Sequence, residues 1–171
     1  MDYIRITDNS LSQLRSVIEL QEGRIGNYPW TQADSIAVST EEKQQLQVIE
    51  SRLSNTFIDL MNESTIWSRA IYPLLVLAEG DDIEARAEIK LKAQYSKFKL
   101  EGMANGGLVK TVAGRVTPPY FLVVEAQKGT EAINPLFKLY GHMLAAAWLN
   151  WKRDHSPIEQ GYFILMKAKK C

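Results

Sequence analysis

The chain is short of the residues that most small sites are built from. It has a single cysteine, Cys171, so neither an intrachain disulfide nor a cysteine metal site can form, which fits a reducing cytoplasm. With only two histidines besides, a zinc centre of the usual kind is excluded. Charge of one sign is missing too: 20 basic and 20 acidic side chains leave no net charge. Nothing therefore draws the whole molecule toward nucleic acid, and any such contact would need a local basic patch. No apolar run is long enough to span a bilayer, so no membrane role is expected, and the opening Met1 to Arg5 does not read as a secretory leader. Neither a phosphate-cradling glycine loop ending in Lys-Ser or Lys-Thr nor a Gly-x-Ser-x-Gly elbow is present.

What remains is an ordinary globular composition, 46% apolar and 23% charged, over 171 residues. That length suits one domain with a real core. Residues 1–39 read as an N-terminal appendage, a short helix (Leu11, Leu14, Ile18) followed by a loop rich in turn formers from Gly23 to Trp30. Residues 40–171 read as the core.

The core opens on a helix. Ser39 and Glu42 have capping-box spacing, and Leu46, Ile49, Leu53, Phe57 and Leu60 recur at helical intervals. Glu50 lies at the edge of that stripe. Ser64 to Glu79 predicts a short helix broken around Pro73. From Ile83 to Tyr95 apolar and polar residues alternate strictly, which predicts a half-exposed antiparallel strand. Its lysines (Lys90, Lys92), with Lys97, Lys99, Lys110 and Arg115, are interleaved with Glu84, Glu88 and Glu101, and read as a solvated face rather than a phosphate-binding surface.

A second strand starts at Phe98, is interrupted at Asn105-Gly106-Gly107, and resumes from Leu108 to Val112. Asn-Gly is the strongest short hairpin signal, so a turn competes with any other role for Asn105. A turn at Gly114-Arg115 leads to a third strand, whose segment Phe121 to Val124 is apolar enough for burial on both sides. That segment runs into Glu125, a carboxylate that needs a metal or a basic partner if it is buried. Asn134-Pro135 starts a long helix with a broad apolar face (Leu136, Leu139, Tyr140, Met143, Leu144, Ala147, Trp148, Trp151). A final strand spans Gly161 to Ala168, placed to pair in parallel with the third through the helical crossover.

The order α-β-β-β-α-β on a single mixed sheet, with the strand from Tyr120 to Gln127 ending in Glu125, resembles the PD-(D/E)XK nuclease superfamily, the restriction-endonuclease-like fold. The resemblance spans roughly residues 40–168. It implies magnesium held by Glu125 and by the residue at the second-strand aspartate position, with an acid from the first helix, here Glu50, as a further ligand. The aspartate position falls on Asn105, twenty residues ahead of Glu125, and the lysine position on Gln127. Lys138, on the first turn of the long helix, stands about where the family projects a helical Gln or Lys, with His142 one turn on. His142 reads more simply as a hydrogen-bonded core histidine.

Two functions follow. One is a nuclease-like protein with an eroded site, Glu125, Gln127, Asn105 and Lys138, weakly active or inactive on DNA. The other is a non-catalytic interaction or regulatory protein on the same fold, a homodimer that uses the tryptophan-bearing helix face (Trp148, Trp151).

Overall fold

The computed structural model describes residues 2–6, 11–19, 36–54, 57, 60–127, 135–154 and 162–167. Its architecture is mixed α/β around one mixed sheet. The elements run β1 (Asp2–Arg5), α1 (Leu11–Val17), α2 (Thr40–Ser54), α3 (Glu63–Ile66), a π-helical turn (Trp67–Ile71), α4 (Tyr72–Val76), β2 (Ile83–Gln94), β3 (Phe98–Val112), β4 (Arg115–Gln127), α5 (Pro135–Asp154) and β5 (Tyr162–Lys167). No helix among the described residues is long and apolar enough to cross a membrane.

β3 organises the five-stranded sheet. One edge carries β2, antiparallel from Ile83↔Lys110 to Gln94↔Lys99. The other edge carries two neighbours in succession: β1, parallel, at Phe98 to Glu101, and β4, antiparallel, at Gly106 to Val112. β5 then lies parallel to β4, as the helical crossover predicts. Ala113 (φ 50°) and Gly114 (φ 74°) are both left-handed and close the β3–β4 hairpin, the backbone a two-residue type I′ loop requires.

α5 covers one face of the sheet and α3, the π-turn and α4 cover part of the other. Strict alternation along β2 predicts one buried face throughout, and here the structure differs. Ala85 packs on the α4 side, whereas Ile89, Leu91 and Ala93 pack under α5. Glu88 between them adopts a left-handed backbone (φ 53°), which inverts the faces. β3 inverts at the facing point, with Phe98, Leu100 and Ala104 under α5 but Leu108 on the α4 side. Sequence periodicity cannot see this inversion, because small and apolar residues continue at every second position through it.

The helices start and break at their local signals, but α2 ends at Ser54, and Leu46, Phe57 and Leu60 of its predicted apolar stripe are exposed. Ser39 and Glu42 form the expected capping box: the Ser39 N–H donates to Glu42 Oε2 (2.7 Å) and the Glu42 N–H to Ser39 Oγ (3.1 Å). The helix broken at Pro73 is real; the Tyr72 N–H bonds back to Trp67 O in a π-turn just before the proline, which has no N–H of its own to offer. Along α5 the expected small run, Ala145 to Ala147, is buried, with Lys152 and Arg153 in the last turn. Its buried face is rotated from the predicted one, because Phe137 and His142 point inward while Leu136 and Trp151 are exposed. Asn134 lies outside the described residues.

The described part of the N-terminal segment is not an appendage. β1 is a strand of the main sheet, and Ile4, Ile6 and Leu14 are fully buried in the cluster under α5. On the open face, Glu101 of β3 ties three strands together, accepting from Tyr3 Oη (2.7 Å) and pairing with Lys92 Nζ (2.8 Å) and Lys90 Nζ (3.6 Å). The hydrogen bond from Lys92, and next that from Tyr3, hold its carboxyl down at about 2 against an ordinary 4.5.

Two outcomes follow. Ile4→Ala lowers stability by about 2–5 kcal/mol in urea unfolding, the range for a buried aliphatic side chain, where an appendage residue would leave the midpoint in place. Glu101 titrates near about 2, and Lys92→Ala moves that midpoint up toward 4.5, read by carboxyl-carbon NMR. Since the folded value is the depressed one, its stabilisation is complete above the ordinary carboxylate range and is lost as pH falls toward about 2.

Candidate functional site

Glu125 arrives near the end of β4, where the backbone pairs with Leu165 of β5. Val124 and Ala126 on either side of it pack toward α4, so strand geometry turns Glu125 toward α5. There it meets His142, the most deeply buried polar residue described. Their Nδ1 and Oε1 atoms are 2.5 Å apart, and the residues are 1% and 5% exposed. The angles fall outside those of a directed hydrogen bond, and among the described residues His142 Nε2 has no hydrogen-bond partner. We read the contact as a close electrostatic pairing that compensates a carboxylate in a nearly dry place.

α5 is fixed beyond this contact, toward its C-terminal end. Farther along the helix, Asn150 clamps β4, its Oδ1 accepting from the Tyr120 N–H (2.8 Å) and its Nδ2 donating to Tyr120 O (3.0 Å). Tyr95 Oη donates to Leu144 O (3.0 Å), and burial pushes its phenol up to about 12. Under His142 lies Gly102, where an added Cβ would sit 2.5 Å from Nε2 and 2.7 Å from Ile6 Cβ. The imidazole thus rests directly on β3 backbone.

Asn105 stands at the inversion of β3. Neither β2 nor β4 pairs with its backbone, although both pair with Gly106 next to it. Its side chain fills the gap: Oδ1 accepts from the Ala126 N–H (3.0 Å) and Nδ2 donates to Glu63 Oε1 (3.1 Å). Glu63 is set in the first turn of α3, which Asn62 caps by accepting from the Thr65 N–H (2.8 Å). The Asn-Gly-Gly signal is therefore not a hairpin. Added Cβ atoms at Gly106 and Gly107 would strike Trp67 and the Leu122 backbone, so close packing within the sheet requires these glycines.

Asn105, Glu63, Trp67 and Glu88 line a cavity of about 370 Å³ on the α3 side, which Glu125 does not line. Asn105 and Glu125 thus lie on adjoining strands but commit their side chains to different partners. Glu50 is exposed on α2, whose packing is against the π-turn. Lys138 is half-buried on α5, and Glu125 pairs with His142 rather than with it. Gln127 ends β4 opposite Lys167, and its side chain lies outside the described residues.

These positions do not fit a magnesium site as they stand. Hard cations need several oxygen donors converging on one accessible point. Glu125 Oε1 is in contact with an imidazole nitrogen, both amide atoms of Asn105 are used, and Glu50 sits on another element. Among the described residues no three His, Cys, Asp or Glu side chains gather to hold an ion. Sequence reasoning missed Glu63 and Gly102. Gly102 had a signal, a glycine inside a strand that marks a close approach; Glu63 had none.

No family model matches the chain, and no curated protein or solved structure is significantly similar to it.

His142→Leu strands a buried carboxylate and lowers stability by about 3–5 kcal/mol in urea unfolding. The double change Glu125→Leu/His142→Leu recovers most of that loss. Simple additivity of the two single losses would mean that the residues are not a pair.

Proposed function

We propose that this chain has a restriction-endonuclease-like core whose acidic position no longer serves hydrolysis, and that it acts as a non-catalytic protein binding partners, a second copy of itself among them. One observation carries this reading: the carboxylate at the motif position is buried in contact with His142. A hydrolytic carboxylate must meet both its metal and a phosphodiester, and this one faces the underside of a helix. The order β2, β3, β4, α5, β5, with β5 parallel to β4, supports the fold part of the proposal.

A second reading, weak magnesium-dependent cleavage of DNA, draws on the bond from the Ala126 N–H to Asn105 Oδ1, which brings the two motif positions onto adjoining strands. For that activity α5 would have to lift His142 away from Glu125, leaving Gln127 or Lys138 to position water.

Calorimetric titration of magnesium and manganese into the wild type, with Glu125→Ala as control, separates the two. The expected result is no saturable binding at millimolar metal, and no cleavage of supercoiled DNA. Binding that disappears in Glu125→Ala would overturn the non-catalytic reading. Cleavage that rises well above wild type in Asn105→Asp/Gln127→Lys would establish the eroded-site alignment.

A further inference from the structure

The inversion of β2 and β3 opens a space that their ladder does not fill. Consecutive residues of a regular strand point to opposite faces. At the left-handed backbone of Glu88, Ala87 and Glu88 instead border one cavity, that of about 370 Å³ on the α3 side. Its walls bring together Glu63 from α3, Trp67 from the π-helical turn, Glu88 from β2 and Met103 from β3. The indole is held in place: an added Cβ at Gly106 would lie 2.6 Å from two of its ring atoms, so Trp67 rests on β3 backbone. π-Helical turns of this kind occur frequently at functional sites.

The charge of the cavity is one-sided. Glu63 and Glu88 both line it, and no lysine, arginine or histidine does. Glu63 Oε1 accepts from the Asn105 amide, a neutral donor that orients the carboxylate and leaves its charge in place. Among the described residues neither glutamate belongs to an ion pair. An anion is repelled here, and a neutral apolar group would strip water from the carboxylates without replacing it. A hard metal ion has too few converging oxygens, since among the described residues no three ligating side chains gather. A cation on an apolar stem fits. Its charge meets the two carboxylates and the indole, the ring that attracts cations most strongly. Its stem lies along Met103, which is 48% exposed and adaptable in shape. The volume suits a small ligand or one long side chain. We propose that this cavity binds an alkylammonium or alkylguanidinium group through Glu63, Glu88 and Trp67. The group is carried by a free amine or by a lysine or arginine of a partner. The site is independent of Glu125, which faces α5 and does not line this cavity.

An NMR titration of the full chain tests the site. The probes are n-butylammonium, n-butylguanidinium and an unstructured peptide carrying one lysine, with 1-butanol as the uncharged control. The expected result is a saturable shift of the Trp67 indole N–H resonance, assigned by its absence from Trp67→Phe, with the cations and not with butanol. Glu63→Gln and Glu88→Gln each weaken that binding by about five- to tenfold. Glutamine keeps the side-chain shape, and at position 63 it keeps an acceptor for Asn105, so these variants remove charge without removing packing. Added salt weakens the binding as well. Tighter binding of the peptide than of butylammonium assigns the cation to a partner protein, and equal affinity assigns it to a free amine. No saturable shift in the millimolar range, equal binding of butanol, or binding unchanged in both glutamine variants overturns the site. None of these results bears on magnesium binding at Glu125.

Discussion

One edge of β3 has to serve two different neighbours, and the rest of the fold depends on how it does so. The strand pairs in parallel with β1 over its first residues and antiparallel with β4 over its last. Both partners lie under α5 on one face, and β4 is covered by α4 on the other face as well. A regular strand would keep the same residues under the same helix along its whole length. β3 changes faces between Ala104 and Leu108, and β2 follows through the left-handed backbone of Glu88. Asn105 stands at the pivot. Its amide replaces the ladder bond that the inversion removes, reaching the Ala126 N–H of β4.

This pivot explains why Glu125 is buried. Ala126 is anchored to Asn105 on one side, which holds the end of β4 in the sheet and leaves Glu125 turned under α5. A carboxylate there is costly unless something compensates it, and α5 supplies His142. The helix gets close enough through Ala145 and Ala146, both fully buried, and through Gly102, which leaves the space that the imidazole occupies. Removing any one of these would separate the pair or crowd it. The burial of Glu125 thus arises from the same packing that closes the core, and metal chemistry is not needed to account for it.

Much of the element order was legible because it rests on local chemistry: the capping box at Ser39 and Glu42, the break at Pro73, the lysine-studded β2, the start of α5 at Pro135. Glu125 was legible as a buried carboxylate requiring a partner, but not with which partner. His142 is seventeen residues away in sequence, and its contact depends on the rotation of α5, which the apolar face alone set wrongly by favouring Leu136 and Trp151 over Phe137. The N-terminal strand was missed for a physical reason. β1 has four residues, two of them charged, and is held by pairing with β3 and by Ile4 rather than by any periodicity of its own. Asn105-Gly106 misled because the dipeptide that suits a hairpin also suits a strand that must invert and pack closely.

The asparagine itself argues for structure over catalysis at position 105. Its two functions need one acceptor and one donor, Oδ1 for the Ala126 N–H and Nδ2 for Glu63 Oε1. Aspartate keeps the first and loses the second. Worse, it sets a second carboxylate where Nδ2 lies 3.1 Å from the first, and such a pair resists joint ionisation unless a cation joins it. Glu88 borders the same cavity and adds negative charge. Aspartate here would thus favour a metal on the α3 side, among Glu63, Glu88 and position 105, on the opposite side of the sheet from the Glu125 carboxylate. With a neutral amide in its place, the same residues close on one another by hydrogen bonding. Asparagine is the side chain that lets the two strands and α3 meet without an ion.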